Sequence, residues 1–511
     1  MRLGLAERHG LWADEVFSLA IATGHSLEHP AATADPALGD FVEPEGPVYA
    51  EEFKRYLAHE DPPASPARVV RAVLLSDTNP PLYYLLLYGW TLVTGTSDAA
   101  LRLFSTAWSL ACLPFLAGVA RRTGGRDSVL PACALFALSP LAVYFSAEGR
   151  MYSLLWFCVL ATAWVSLVWR QRGGSIALSA AWVVASAAGF LTHYFFLFPW
   201  TAMVIFLVAR PGTLARKHLM ASIFVMGLSI APWYWRVPES LDCWRITRDW
   251  LKLDPYRFDR LAVTRDQVFR FFSGGGGSPE VWVDRGRAEA AALALFGVVG
   301  AAMVLRLRRR MFGSRRLLLW LWFLAAVAGP SIMDLLQGTH TMFYSRYLLT
   351  GLPAAYLLAA IGLECLGRRM GVIVLLLVLS VWARQLIGIY RKDSRSWQPL
   401  REVAGAVSSN GSQSDLILVH SIPSGVLGVA RYAKDSAALA SWIGQLRMRR
   451  MPQSLHALAA GRSRILFVKV HDVDEPAPEE DWLRANAVIF QETHLGSATV
   501  VDFRPRGSGQ F

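Results

Sequence analysis

Long apolar segments constrain this chain more than any other feature of its sequence. Ten stretches of about 20 mostly apolar residues are each long enough to cross the ~30 Å hydrocarbon core of a bilayer as an α-helix. They lie near residues 98–120, 127–147, 151–169, 174–191, 194–210, 217–235, 287–305, 316–333, 346–366 and 371–389. Because only helices or closed barrels satisfy their backbone groups in lipid, the sequence predicts a mainly α, polytopic membrane protein of about ten spans.

Basic residues cluster in every second connection between these stretches. The clusters are Arg121, Arg122 and Arg126; Arg170 and Arg172; Arg210, Arg216 and Lys217; Arg306, Arg308, Arg309, Arg310, Arg315 and Arg316; and Arg368 and Arg369. The positive-inside rule assigns these connections to the cytoplasm, and therefore assigns residues 1–97 and everything after 390 to the outer side. The net charge of +12 is thus explained by topology, and no nucleic-acid partner is predicted.

This orientation leaves the N-terminus outside with no preceding span, since residues 1–10 are short and polar. We expect the natural gene to begin earlier and to supply one more transmembrane helix, making about eleven. The apolar segment 80–95 is interpreted as a juxtamembrane or re-entrant helix that begins at Pro80-Pro81, because counting it as a span would invert every later loop.

The composition predicts three parts. Residues 1–97 form an outer loop with juxtamembrane helices, 98–390 form the transmembrane domain, and 391–511 form a small extracytoplasmic α/β domain. Within the last part we expect strands at 415–420, 464–470 and 487–490 and helices at 397–408 and 424–433. The outer loop 236–286 mixes aromatic residues such as Trp244 and Trp250 with basic residues, which favours a place at the lipid headgroups, and Gly274 to Gly277 are interpreted as a hinge.

Ionisable residues collect at the outer ends of the spans, which indicates a site on that face of the membrane. Asp14 and Glu15 are adjacent, between Trp12 and Phe17, and such a pair suits a general base, although solvated acids in a loop would give the same letters. Asn79 and Tyr83 lie in the segment Asp77 to Tyr84, where Asn-Pro-Pro is also typical of a turn that opens a helix.

Three further outer turns carry candidate residues. Glu148, Arg150 and Tyr152 lie in a tight hairpin, where each charge needs a partner, either the other charge or a substrate. His193 is either an interfacial anchor or a catalytic group. Arg346, followed by Tyr347, is either a forked clamp for a phosphate or an arginine that extends to the membrane surface.

Taken in order, these motifs resemble a known family. Trp-x-Asp-Glu, then x-Pro-Pro-Leu-Tyr-Tyr, then Glu-x-Arg-Met-Tyr after a Ser-Pro span, and a late Arg-Tyr are similar to the bacterial members of the dolichyl-phosphate-mannose-protein mannosyltransferase superfamily. These are integral-membrane glycosyltransferases of the GT-C fold, and they include the aminoarabinose transferase for lipid A. The resemblance covers residues 11 to about 366, and covers the C-terminal domain in architecture alone.

The resemblance implies an inner-membrane enzyme that moves a sugar from a polyprenyl-phosphate donor to an acceptor hydroxyl outside the cytoplasm, with inversion. The acceptor would be a glycan, a lipid or a protein. It implies that Asp14 is the general base, with Glu15 beside it, and that Glu148 is a second acid lining the site. The predicted donor-binding residues are Asn79, Tyr83, Arg150, Tyr152, His193, Arg346 and Tyr347.

This chain differs from its relatives at one predicted donor-binding position. Relatives often carry His or Lys in place of Asn79, so phosphate binding would depend more on Arg346 and Arg150.

No cofactor is predicted, because no cluster of His, Cys or carboxylates has metal-ligand spacing, and a requirement for a divalent cation is left open.

Other kinds of protein share part of the pattern. A flippase or transporter of lipid-linked saccharides also has many spans and embedded charges, but transporters place those charges near the bilayer midplane between repeated halves, whereas here they lie at one face. A structural subunit with an outer substrate-binding domain is a third possibility. The pattern favours the enzyme.

Overall fold

A computed structural model of the chain describes residues 2–77, 79–243, 250–252, 259–274, 286–308, 311–390, 398–408, 415–471, 475–506 and 511. Two compact units are present. The helical unit comprises Met1–Leu3, Arg102–Arg236 and Leu251–Ser394, and the mixed unit comprises Gly4–Leu101, Val237–Trp250 and Arg395–Phe511. Trp244, the side chain of Trp250 and the proposed hinge at 275–277 lie outside the described residues.

The described α-helices, numbered in chain order, begin with a group that runs to the sixth apolar stretch. They are α1 (Arg2–Ala6), α2 (Ala13–Ala22), α3 (Ala50–Lys54), α4 (Pro66–Ser76), α5 (Leu82–Thr94), α6 (Asp98–Thr123), α7 (Val129–Leu138), α8 (Pro140–Ser146), α9 (Tyr152–Arg172), α10 (Ile176–Phe190), α11 (Leu197–Ala209) and α12 (Arg216–Tyr234).

The remaining helices complete the helical unit and then the C-terminal region. They are α13 (Val237–Asp242), α14 (Arg260–Ser273), α15 (Arg287–Leu307), α16 (Leu317–Gln337), α17 (Leu352–Cys365), α18 (Arg368–Tyr390), α19 (Leu400–Ser408), α20 (Pro423–Tyr432), α21 (Gln453–Ala459) and α22 (Pro478–Asn486). The predicted loop 236–286 therefore contains a 14-residue helix, α14.

Each of the ten predicted apolar stretches contains helix. Among the described residues, five helices are long and apolar enough to cross a membrane, namely α6, α9, α15, α16 and α18. The pair α7 and α8 makes a sixth if it is one span bent by 61°, and the break falls at Ser139-Pro140, where proline cannot donate the helical hydrogen bond. Other stretches form shorter apolar helices, so the count of ten spans remains a prediction.

Two helices form the interior of the helical unit. In the apolar stretch of α9, 89% of residues are buried, against 17% in α15. Helix α17 is buried along nearly its whole length and contacts α7, α15, α16 and α18. Helices that are apolar on every side are buried inside a bundle when neighbours surround them, and otherwise face lipid, as the exposed apolar residues of α15 and α18 indicate.

The mixed unit is built on a six-stranded sheet. Its strands are β1 (Val48–Tyr49), β2 (Asp415–His420), β3 (Ala438–Trp442), β4 (Arg464–Lys469), β5 (Ala487–Leu495) and β6 (Ala498–Pro505), in the order β1-β3-β2-β4-β6-β5. Strands β3, β2 and β4 are parallel, and the other neighbours are antiparallel. All six residues of the central strand β2 are buried, as expected for a parallel strand covered on both faces.

The N-terminal region belongs to the same unit as the C-terminal domain. Val48 in β1 pairs with Leu439 in β3, and helices α2 and α3 both pack against α20. The strands predicted at 415–420, 464–470 and 487–490 and the helices predicted at 397–408 and 424–433 are all present. Strands β1, β3 and β6 were not predicted. Strands β1 and β3 are short, and they pair with each other although they lie far apart in the sequence.

A buried carboxyl near the sheet makes the stability of the protein depend on pH. Burial raises the pKa of the Glu43 carboxyl from 4.5 to about 7, and the nearby Arg449 opposes this rise. The folded protein therefore holds a proton that the unfolded chain has released. Glu43 contributes stability in full below about pH 4.5, and that contribution is lost as the pH rises through about 7.

We expect the Glu43→Gln variant to lose this part of the pH dependence, because glutamine mimics the protonated carboxyl. Between about pH 4.5 and 7 the wild-type protein loses up to about 3 kcal/mol relative to the variant. Melting temperatures of the two purified proteins across this range measure the difference. Burial lowers the pKa of His25 to about 4, which has the opposite effect, but His25 is present in both proteins. If the melting temperatures of the two proteins change equally with pH across this range, the expectation is contradicted.

Candidate active site

Asp14 and Glu15 lie in the first turn of α2, in the mixed unit. The backbone N–H of Trp12 donates to Oε2 of Glu15 at 3.3 Å, and Glu15 is almost completely buried. A carboxylate in the first turn satisfies an N–H group that has no partner within the helix and interacts favourably with the helix dipole. Glu15 thus stabilises the turn that carries Asp14, whose own side chain is half-buried.

Asn79 shapes the turn before α5. Its backbone N and its Nδ2 both donate to Oδ1 of Asp77, at 3.0 and 2.9 Å, and the Tyr84 hydroxyl donates to Oδ2 of the same carboxylate. This geometry supports the interpretation of the segment as a turn that opens a helix. Tyr83 is fully buried, and its helix α5 packs against α2, which carries Asp14. Contact of Asn79 or Tyr83 with a substrate stays a prediction.

Glu148 and Arg150 occupy the tight connection between α8 and α9, in the helical unit, and Tyr152 begins α9. The N–H of Arg150 donates to the carbonyl of Glu148 at 2.8 Å, and the Ser105 hydroxyl donates to the carbonyl of Arg150 at 3.1 Å. Both charged side chains are buried, each 6% exposed. Burial of two charged groups in a fixed hairpin is costly, which is typical of a functional site.

His193 begins the turn between α10 and α11. Its Nδ1 accepts a hydrogen bond from the N–H of Phe195 at 3.0 Å, so the neutral imidazole carries its proton on Nε2. The ring of His193 lies 6.5 Å from the ring of Tyr347, and Phe195 lies 5.0 Å from the same ring. The structure therefore brings His193 close to the predicted Arg-Tyr motif.

Arg346 lies in a 3-10 helix, Ser345–Tyr347, beside two aromatic rings that also contact each other. Its guanidinium carbon is 5.0 Å from the ring centroid of Tyr344 and 5.7 Å from that of Tyr347. Such cation–π contacts limit the orientations of the planar guanidinium and so prepare its forked donors for an anion. His193, Arg346 and Tyr347 thus form one cluster in the helical unit.

Two residues that were not predicted hold the segment before Arg346. The carboxylate of Asp334 accepts hydrogen bonds from Thr341 N at 3.0 Å and Met342 N at 2.9 Å. Gln267, on α14, donates to the carbonyl of Phe343 at 2.7 Å and accepts from the Ser345 hydroxyl at 2.6 Å. The one sequence feature that could have indicated this role is the position of Asp334, an acidic residue directly after the apolar stretch 316–333. A carboxylate at the end of a membrane span needs a partner.

If Arg346 binds the donor phosphate, as the resemblance implies, the Asp334→Ala variant should bind the donor more weakly than the wild-type protein. Removal of the carboxylate leaves two buried N–H groups without their acceptor, which costs about 1–3 kcal/mol each and loosens the segment that carries Arg346. Donor affinity and melting temperature measure the two effects. Asp127→Ala, at an exposed acid of the same unit, is the control and should leave both unchanged. Unchanged donor affinity in Asp334→Ala would contradict this role.

The predicted site residues are divided between the two units. Asp14, Glu15, Asn79 and Tyr83 belong to the mixed unit, and Glu148, Arg150, Tyr152, His193, Arg346 and Tyr347 belong to the helical unit. Among the residues described, no group of three or more His, Cys, Asp or Glu side chains is arranged to hold a metal ion.

Comparisons with known proteins identify the fold. Residues 78–235 match the family model described as dolichyl-phosphate-mannose-protein mannosyltransferase. The crystal structure of apo ArnT from Cupriavidus metallidurans superposes with a TM-score of 0.56 at 13% identity, over 98% of this chain and 95% of that chain. No curated protein sequence gives a significant match.

A second solved structure gives the same result. ArnT from Cupriavidus metallidurans bound to undecaprenyl phosphate superposes with a TM-score of 0.53 at 14% identity, over 95% of this chain and 96% of that chain. The predicted resemblance to this superfamily and the predicted fold class, a helical membrane protein with a small α/β region, are confirmed. The chain is a multi-pass membrane protein.

Proposed function

We propose that this chain is a membrane glycosyltransferase of the GT-C superfamily, and that it transfers a sugar from a polyprenyl-phosphate donor to an acceptor hydroxyl. The match of residues 78–235 to the mannosyltransferase family model carries the proposal. The complex of ArnT with undecaprenyl phosphate supports a polyprenyl phosphate as the carrier. The reaction inverts the configuration at the anomeric carbon if the acceptor oxygen attacks from the face opposite the phosphate.

Asp14 is the general base in this proposal. It removes the proton from the acceptor hydroxyl as the new bond to the anomeric carbon forms. Its place in the first turn of α2, beside a glutamate that stabilises that turn, gives a carboxylate on a rigid element rather than on a mobile loop. Glu148 is a second acidic group, which orients the sugar through its hydroxyls.

Side chains that donate hydrogen bonds, among them two arginines, bind the phosphate leaving group in this proposal. A phosphate departs already charged, so no general acid is needed, whereas a glycoside hydrolase requires a second carboxyl to protonate its leaving oxygen. Arg346, which lies beside the rings of Tyr344 and Tyr347, offers forked donors to the phosphate, and the Nε2–H of neutral His193 offers another. Arg150, Tyr152, Tyr347, Asn79 and Tyr83 complete the donor-binding set.

The proposed reaction takes place on the outer face of the cytoplasmic membrane. Arginine-rich connections occupy every second position along the chain, and the positive-inside rule then assigns the acidic turns and the C-terminal region to the opposite side. Reporter fusions after residues 150 and 400 should both give an extracytoplasmic signal. Signals from opposite sides would contradict the proposed location.

A direct transfer assay tests the activity. Membranes containing the protein are incubated with radiolabelled polyprenyl-phosphate sugars, one sugar at a time, and the label that leaves the lipid fraction is followed into glycan, lipid or protein. We expect at least one sugar to be transferred, and Asp14→Asn membranes to leave it on the carrier. Label that crosses the membrane while still attached to its carrier would indicate a flippase instead.

A further inference from the structure

The backbone directly before Asp14 is bound by side chains from the C-terminal part of the mixed unit. The N–H of Leu11 donates to the hydroxyl of Tyr432 at 2.6 Å, and the N–H of Ala13 donates to Oε1 of Gln398 at 2.9 Å. Tyr432 is the last residue of α20, and Gln398 lies just before α19. The peptide that leads into Asp14 is thus fixed at two points by residues 421 and 385 positions away in the sequence.

Tyr432 is itself held in place by charged groups. Its hydroxyl donates to Oδ2 of Asp98 at 2.5 Å, and the same carboxylate accepts from Arg401 at 2.6 Å and Arg431 at 2.9 Å. Burial and the Asp98 carboxylate raise the pKa of Tyr432, so the hydroxyl stays protonated. It therefore donates to Asp98 and accepts from Leu11 at the same time. Hydrogen bonds to charged groups are stronger than neutral ones, so the Asp98 carboxylate fixes the position of the Tyr432 hydroxyl that accepts from Leu11.

Close packing leaves this segment little room to move. A Cβ atom added at Gly10 would lie 2.6 Å from Cβ of Arg401, and one added at Gly428 would lie 2.3 Å from Cδ1 of Leu400. The absence of a Cβ at Gly10 therefore lets the chain before α2 approach the start of α19, whereas a Cβ at Gly428 would require the Leu400 side chain to move. The amide of Gln398 is also oriented by a contact between its Nε2 and Nδ1 of His471.

We propose that Tyr432 and Gln398 are positioning residues for sugar transfer, which hold the Leu11–Ala13 backbone so that the Asp14 carboxylate lies where the acceptor hydroxyl loses its proton. This inference rests on the proposed function, in which Asp14 is the base. A general base must stay within hydrogen-bond reach of its proton, and a misplacement of about 1 Å costs up to about 100-fold in rate. The C-terminal region then contributes to catalysis through the backbone of the N-terminal segment.

Two variants of the full-length protein in detergent test the inference. Tyr432→Phe removes the hydroxyl and keeps the ring against Arg401, and Gln398→Met removes the acceptor at similar size. We expect each to lower kcat about 10-fold while the KM values for donor and acceptor change less than about twofold. We also expect amide hydrogen exchange at Leu11 and Ala13, measured by mass spectrometry, to become faster. Tyr49→Phe, at an exposed tyrosine of the same unit, is the matched control and should match the wild type in both measurements.

The outcomes separate this inference from the proposed function. Faster exchange with an unchanged kcat would overturn the inference, as would a lower kcat with unchanged exchange. If Tyr432→Phe does not fold, Gln398→Met gives the same two measurements. If wild-type protein transfers no sugar from any donor, or if Asp14→Asn remains fully active, the proposed function fails. If Asp14→Asn is inactive while Tyr432→Phe and Gln398→Met keep the wild-type kcat, only the inference fails.

Discussion

The Asp14→Asn variant is expected to transfer sugar about 100- to 10,000-fold more slowly than the wild-type protein, the range typical for loss of a general base. Asparagine has the same size and keeps one oxygen acceptor, but it cannot take up the proton of the acceptor hydroxyl. Donor binding should persist, because the residues proposed to contact the phosphate are unchanged. Initial rates of label transfer and equilibrium binding of the donor separate the two effects.

Two comparisons make this result specific. Asp435→Asn, at an acid that is 69% exposed in the same unit, should keep wild-type activity. Glu15→Gln retains an oxygen for the Trp12 N–H and should lose much less activity than Asp14→Asn. Full activity in Asp14→Asn would remove Asp14 from the mechanism.

The Arg346→Lys variant is expected to lower turnover about 100-fold, the usual loss when one donor to developing charge is removed. Lysine keeps the positive charge. It lacks the planar fork that meets two phosphate oxygens, and it cannot reproduce the flat contact with Tyr344 and Tyr347. Single-turnover transfer rates and donor affinity measure the loss, which should appear in both if the arginine contacts the phosphate before and during transfer.

Arg369→Lys, at an exposed arginine of the same unit, is the matched control for charge-preserving replacement. It should leave turnover and affinity unchanged. An Arg346→Lys protein with wild-type turnover and donor affinity would show that the charge of Arg346 is sufficient, or that this residue only extends to the membrane surface. In either case the proposed clamp on the phosphate would be wrong.

The candidate site residues could be proposed from the sequence because they lie in local motifs. Asp14 and Glu15 are adjacent, Glu148 to Tyr152 fall within one hairpin, and Arg346 and Tyr347 are neighbours. Their supporting residues could not be predicted in this way. Asp334 and Gln267 contact the segment before Arg346 from 7 and 76 positions away, and Tyr432 contacts Leu11 from 421 positions away. No periodicity or spacing in the sequence reports such pairs.

The sequence by itself determined that this protein consists mainly of membrane helices, because the length of an apolar run is a local property and lipid leaves a backbone few alternatives. It also determined the central strands and helices after residue 390. Only the tertiary structure decided that residues 4–101 join residues 395–511 in one unit, with β1 completing the sheet beside β3. That pairing depends on backbone hydrogen bonds and packing between distant segments, which side-chain pattern alone does not specify.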